Sequence, residues 1–191
     1  MRVFIAVLVL IFSLQSWTKA DDIRDFEIEG ISVGDSLLDH FSEKKIKKEM
    51  KNAFYYKDNK YADIFFDIHQ TYSFLQITIK PDDKTYKIYA IAGQILYENN
   101  INECYPKIKE IASSIESQLS KKTKKSFHNK KKHPYDNSGK SIYSSYDYLL
   151  DNGFIMVQCF DWDKKYTYAD KLMVSFKNKI YNTFLLEEAY K

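Results

Sequence analysis

The chain reads as an α+β domain: an antiparallel sheet of about six strands in two meanders, with helices packed mainly on one face. Three observations predict this. Apolar residues alternate at Ala62, Ile64, Phe66 and Ile68, and again at Leu75, Ile77 and Ile79, with the two-residue period of strands. Turn signals separate such runs, Pro81-Asp82-Asp83-Lys84 and Asn152-Gly153 being the clearest. Ile101, Cys104, Ile108, Ile111, Ala112, Ile115 and Leu119 recur at steps of three and four, which sets them on one stripe of a helix over residues 102–119.

The elements follow in order. Arg2 precedes an apolar run from Val3 to Leu14 that is too short to span a bilayer, and Thr18-Lys19-Ala20 offers small residues to a signal peptidase. Residues 1–20 are therefore expected to be a signal peptide, leaving residues 21–191 as a single α+β domain. No cysteine follows Ala20 to carry a lipid, and no later stretch is apolar enough for a membrane helix. Phe26 and Ile28 alternate with acidic residues in a short strand. Ser32 and Asp35 have the spacing of a capping box, predicting a helix that buries Val33, Leu37, Leu38 and Phe41. Ser42 opens a second, strongly basic helix to about residue 51.

The two alternating strands come next, then a strand over residues 85–99 that is apolar on both sides. Tyr86, Ile88 and Ala90 lie on one side, with Tyr89, Ile91 and Ile95 on the other. Such a strand belongs mid-sheet. Gly93 within it is expected to mark a bulge. Pro106 fits only the first turn of the following helix. Residues 121–140, rich in lysine, read as an exposed basic loop between two halves of the domain. Strands over 142–150 and 154–162 flank Asn152-Gly153. A third follows with Leu172, Val174 and Phe176 facing inward and Lys171, Ser175 and Lys177 outward. A helix carrying Ile180, Tyr181, Phe184 and Leu185 closes the chain. Both halves pass from a meander to a helix, which hints at a loose duplication.

Without the signal, 27 basic residues face 26 acidic ones, so the charge balance gives no reason to expect nucleic-acid binding. Cys104 and Cys159 remain. An even count in an exported chain predicts one disulfide, and both cysteines fall on inward phases of their elements.

Four features have residue types that can carry chemistry. Gly34-Asp35-Ser36-Leu37 matches the first block of GDSL-type esterases, but no later block supplies a base or oxyanion donors. Gly139-Lys140-Ser141 ends like a phosphate-binding loop, yet it lacks the earlier glycine and opens a strand. Asp136-Asn137-Ser138-Gly139 is a turn without calcium-loop spacing. His40, His69, His128 and His133 show no metal-ligand spacing, and neither a catalytic set nor a cofactor is assigned.

Two stretches could make contacts. Lys130, Lys131, Lys132 and His133 could meet an anionic surface such as phospholipid head groups or an acidic glycan. Trp162 and Tyr166, beside Asp161 and Asp163, could stack on sugars or partner side chains, or plug the sheet end.

The segment Glu29-Gly30-Ile31-Ser32-Val33-Gly34-Asp35 resembles the start of small periplasmic proteins of the β-lactamase-inhibitor-like and outer-membrane-assembly lipoprotein type. That resemblance implies a capped helix before antiparallel strands, without the lipid-modified cysteine of those lipoproteins. More broadly the chain is similar to small exported bacterial proteins of unknown function. The expectation is a periplasmic or secreted binding domain for a protein, envelope component or small ligand. The alternatives are a hydrolase of unrecognised type and an envelope-associated protein that meets anionic surfaces through its lysines.

Overall fold

A computed structural model describes residues 19–68, 71–97 and 100–189. The expected signal lies almost wholly outside them, as does His69. None of the described helices is long and apolar enough to cross a membrane.

The chain is a mixed α and β structure, but its main sheet has eight strands rather than six. A small hairpin, β1 (Glu27–Ile28) with β2 (Ile31–Ser32), precedes it. Glu29 and Gly30 both take positive φ there, the backbone of the tight hairpin turn that glycine favours. Next come α1 (Glu43–Glu49) and the strands β3 (Phe54–Tyr55), β4 (Ala62–Asp67), β5 (Phe74–Ile79) and β6 (Ala90–Leu96). Then follow α2 (Cys104–Gln118) and β7 (Lys124–Lys132), β8 (Ile142–Leu149), β9 (Gly153–Asp161) and β10 (Lys171–Asn178). Helix α3 (Lys179–Glu187) ends the fold. The sheet order is β3-β4-β5-β6-β10-β9-β8-β7, antiparallel throughout. Each half is thus a helix followed by a four-strand meander, and the fourth strands, β6 and β10, pair at the centre.

Four expectations need correction. Residues 121–140 are not all loop: nine of them, Lys124–Lys132, form β7, exposed along nearly its whole length. An edge strand needs only backbone pairing on one side, and lysines protect its open side from further pairing, so no apolar alternation announces it. The helix expected from Ser32 does not form. Asp35 does accept from the Ser32 N–H at 2.9 Å, but Ser32 lies in β2, and Ser36 caps a single 3-10 turn, Leu37–Asp39. The central strand is shorter than expected because residues 85–88 leave the sheet, Tyr89 being the first to bond to its neighbours, with its N–H donating to Thr78 O at 2.8 Å. Gly34 N–H donates to Ile88 O at 2.9 Å, and Leu37 N–H to Tyr86 O at 3.0 Å, so this stretch pairs with the N-terminal segment. Gly93 keeps unbroken register with both neighbours and marks no bulge. It makes room instead, since a Cβ there would lie 2.6 Å from the Tyr72 ring.

One face of the sheet is the core. A row of paired side chains runs Ile77, Ile91, Phe176, Ile155 and Tyr148 across five strands. Helix α2 covers it with Cys104, Ile108, Ile111, Ala112 and Ile115, aided by Ile46 of α1 and by Phe26, Ile28, Val33 and Leu37. Each buried Ile or Phe contributes roughly 1.5–3 kcal/mol by leaving water. Cys104 and Cys159 are bonded, their Cα atoms 6.0 Å apart, tying the start of α2 to β9.

The Asp151-Asn152 turn, closed by Leu150 N–H donating to Gly153 O at 2.9 Å, also anchors the N-terminal segment. Ile23 N–H donates to Asn152 Oδ1 at 2.9 Å, and a Cβ on Gly153 would meet Ile23 at 2.6 Å. Helix α3 lies on the opposite face, where Tyr181 and Phe184 pack with Tyr56 and Tyr61 over Ala90. Ile180 of the same helix is 66% exposed.

Candidate functional site

The second face of the sheet differs from the first. Among the described residues α3 covers one end of it, and the remainder carries no helix. Its inward positions are polar yet buried: Asp63, Thr78, Gln94, Gln158, Ser145 and Ser175. A chain of hydrogen bonds crosses it. Tyr181 OH donates to Tyr56 OH at 2.9 Å, and Tyr56 OH to Asp63 Oδ2 at 2.8 Å. Thr78 Oγ1 and Gln76 Nε2 donate to the same carboxylate at 2.6 and 2.7 Å, and Gln94 Nε2 to Gln76 Oε1 at 2.8 Å. Burial pushes the Asp63 carboxyl up; the neutral donors and the charge of Lys177 offset it only in part. Gln94 Oε1 and Ser175 Oγ are buried with no partner among the described residues.

Two half-buried lysines flank this region on β10. Burial lowers the pKa of both Lys171 and Lys177. Lys177 Nζ lies 3.4 Å from Met156 Sδ, and Lys171 Nζ sits 5.9 Å from the Phe160 ring centre.

Beyond Lys171 the face ends in an aromatic cluster built by two loops. The Trp162 ring lies 4.2 Å from His133 and 4.8 Å from Tyr168, and the Phe160 and Tyr166 rings are within 6.2 Å of it. Trp162 is therefore a packing centre, and Tyr168, 62% exposed, presents the outer surface. The indole N–H of Trp162 is buried with no partner among the described residues.

Asp136 holds the two loops together. Its Oδ1 accepts from Ser138 N–H at 2.9 Å, Lys165 Nζ at 3.0 Å and Tyr166 OH at 3.1 Å, while Oδ2 accepts from Ser141 N–H at 2.8 Å. Burial opposes ionisation, but the hydrogen bonds from Ser138, Ser141 and Lys165 outweigh it and hold the carboxyl far below the usual range. Among the described residues Asp63 has neither a cation nor a backbone N–H donor at such range, so its shift has the opposite sign. Burial among the rings lowers the His133 pKa, against the pull of Asp136.

The residues singled out from the sequence are redistributed. His133 is buried and belongs to the aromatic cluster, not to a lysine surface. Lys130 turns over the Tyr105 ring of α2 at 4.7 Å, and Lys132 lies against the turn at Gly139. Lys131 pairs in register with Tyr143, which pairs with Phe160, which pairs with Lys171. One row across the second face thus reads Lys131, Tyr143, Phe160, Lys171. Tyr143, Phe160 and Lys171 had no motif to flag them; only their outward strand phase was legible. Ser36, the serine of the esterase-like tetrad, donates to Thr85 O at 2.7 Å and caps Leu38 N–H, so its hydroxyl serves the backbone. His40 Nε2 lies 3.3 Å from Asp35 Oδ2 at the surface, without a bond to Ser36. Among the described residues no group of three His, Cys, Asp or Glu could hold a metal ion.

No protein-family model and no solved structure matches the chain. The probable tRNA pseudouridine synthase D 1 of Methanococcus maripaludis is 26% identical over 124 residues, which takes in 51% of this chain. The matched part is 32% of that protein, so the chain spans about a third of its length.

Proposed function

We propose that the chain is an exported, non-catalytic binding domain that takes its ligand on the second face of the sheet, at the aromatic end. The carrying observation is the contrast in cover. Helices close the first face, while the second keeps aromatic and cationic side chains that are not fully buried in one row beside a hydrogen-bonded floor. Antiparallel sheets with one covered face commonly leave the other to solvent or a partner. Export to the periplasm or beyond the cell is supported by the charged, then apolar start of the sequence. The bonded cysteine pair also supports it, because disulfides persist in oxidising compartments.

Met173 is half-buried at the middle of this face, between Gln94 and Gln158 in register. A Met173→Arg variant that folds normally by circular dichroism is expected to lose whatever the wild-type protein retains on combined glycan and peptide arrays. Retention of every such ligand by the variant would overturn the reading. For export, N-terminal sequencing of secreted material is expected to start at Asp21; an intact Met1 would refute cleavage.

A further inference from the structure

Resting on that reading, we infer that the row Lys131–Tyr143–Phe160–Lys171 binds an acidic polysaccharide, with sugar rings against the two aromatics and carboxylates at the two lysines. The register places these four side chains on one face of four adjacent strands, β7, β8, β9 and β10. With neighbouring strands about 4.8 Å apart, the two lysine positions are roughly 14 Å apart across three strand steps. Neither lysine has a carboxylate within ion-pair distance among the described residues, whereas Lys125 and Lys165 are each paired, with Glu116 and Asp136. The row is therefore cation, ring, ring, cation, with its positive charge uncompensated. A polymer of ring sugars bearing carboxylates complements it in both shape and charge.

Other anionic partners fit less well. Lys130 and Lys132 turn away from Lys131, so the segment lacks the contiguous cluster of four to eight basic residues that draws a protein to an anionic membrane. Tight nucleic-acid binding needs many phosphate contacts, and this row offers two cations.

Electrophoresis of the purified chain through native gels cast with alginate, with dextran, or with neither tests the inference. Retardation by alginate, weakened by salt, and none by dextran is expected. A Lys131→Gln/Lys171→Gln double variant should bind alginate about tenfold more weakly, the effect of losing two partly desolvated charge contacts. A Lys44→Gln/Lys48→Gln variant on α1, with the same loss of net charge, should bind like wild type. Tyr143→Leu, which keeps apolar bulk but removes the ring face, should also weaken retardation.

Absence of retardation by alginate would overturn the inference, and so would equal binding by the K131Q/K171Q variant. Phosphatidylglycerol vesicles that co-sediment the chain as well as alginate retards it, with both lost in that variant, would replace the polysaccharide with a general anion surface and overturn it too. If alginate fails while Met173→Arg abolishes binding of some other ligand, this inference falls and the binding-domain reading stands.

Discussion

Ser175 and Phe176 are neighbours on β10, yet they belong to different environments. Phe176 points into the covered face, 5.7 Å from the Phe26 ring and in line with Ile91 and Ile155. Ser175 points into the second face, buried between Ala92 and Met156 in register and lacking a partner among the described residues. Burial alone therefore does not distinguish the faces. What differs is how the buried groups are satisfied: dispersion and water release on one side, a hydrogen-bond chain from Tyr181 to Gln94 on the other. The first arrangement supplies stability. The second supplies a polar floor joined by hydrogen bonds, beside the outer row of rings and lysines that the proposed binding role requires.

Mutations can test that division, from the largest effect to the smallest. Phe176→Ala should cost about 3–5 kcal/mol in chemical denaturation, while Met173→Arg on the opposite face of the same strand should stay within about 0.5 kcal/mol. Equal costs would mean that the second face is also a packed core. Replacing Cys104 and Cys159 together by Ser should cost roughly 2–4 kcal/mol, since the bond closes a 55-residue loop from α2 to β9. A reduced wild type should melt with that variant.

Gly93→Ala forces a methyl into the Tyr72 ring and is expected to cost about 1–3 kcal/mol. The combination with Tyr72→Leu should recover part of that cost in thermal melts. The smallest effect is a slope. Asp136 has a depressed folded pKa, so its contribution is complete above the ordinary carboxylate pKa and is lost as pH falls toward the folded value. Asp136→Asn should therefore flatten the loss of stability between about pH 5 and about pH 2. An unchanged slope would remove Asp136 from its role in joining the two loops.

Much of this was legible in the sequence. The period-two runs of β4, β5, β9 and β10, the Asn152-Gly153 hairpin and the apolar stripe of α2 all stand where spacing put them. The cysteine phases anticipated the Cys104–Cys159 bond. Local rules succeeded there because a helix or a half-buried strand imposes its period on its own residues. They failed at β7 and at residues 85–88, where the conformation depends on a partner far along the chain. Lysine-rich β7 is a strand because β8 offers its edge, and Tyr86 leaves the sheet because Leu37 bonds to its carbonyl.

The site divides in the same way. From residue types alone came the chemistry: the lysines at 130–132, the rings of Trp162 and Tyr166, and the outward phase of Lys171. Tertiary structure decided the company each keeps. Strand register aligned Lys131 with Tyr143, Phe160 and Lys171, sent Lys130 to the far side, and buried His133 against Trp162. The reason is geometric. Sequence spacing specifies which face of its own strand a side chain takes, but only pairing between strands specifies which side chain lies beside it.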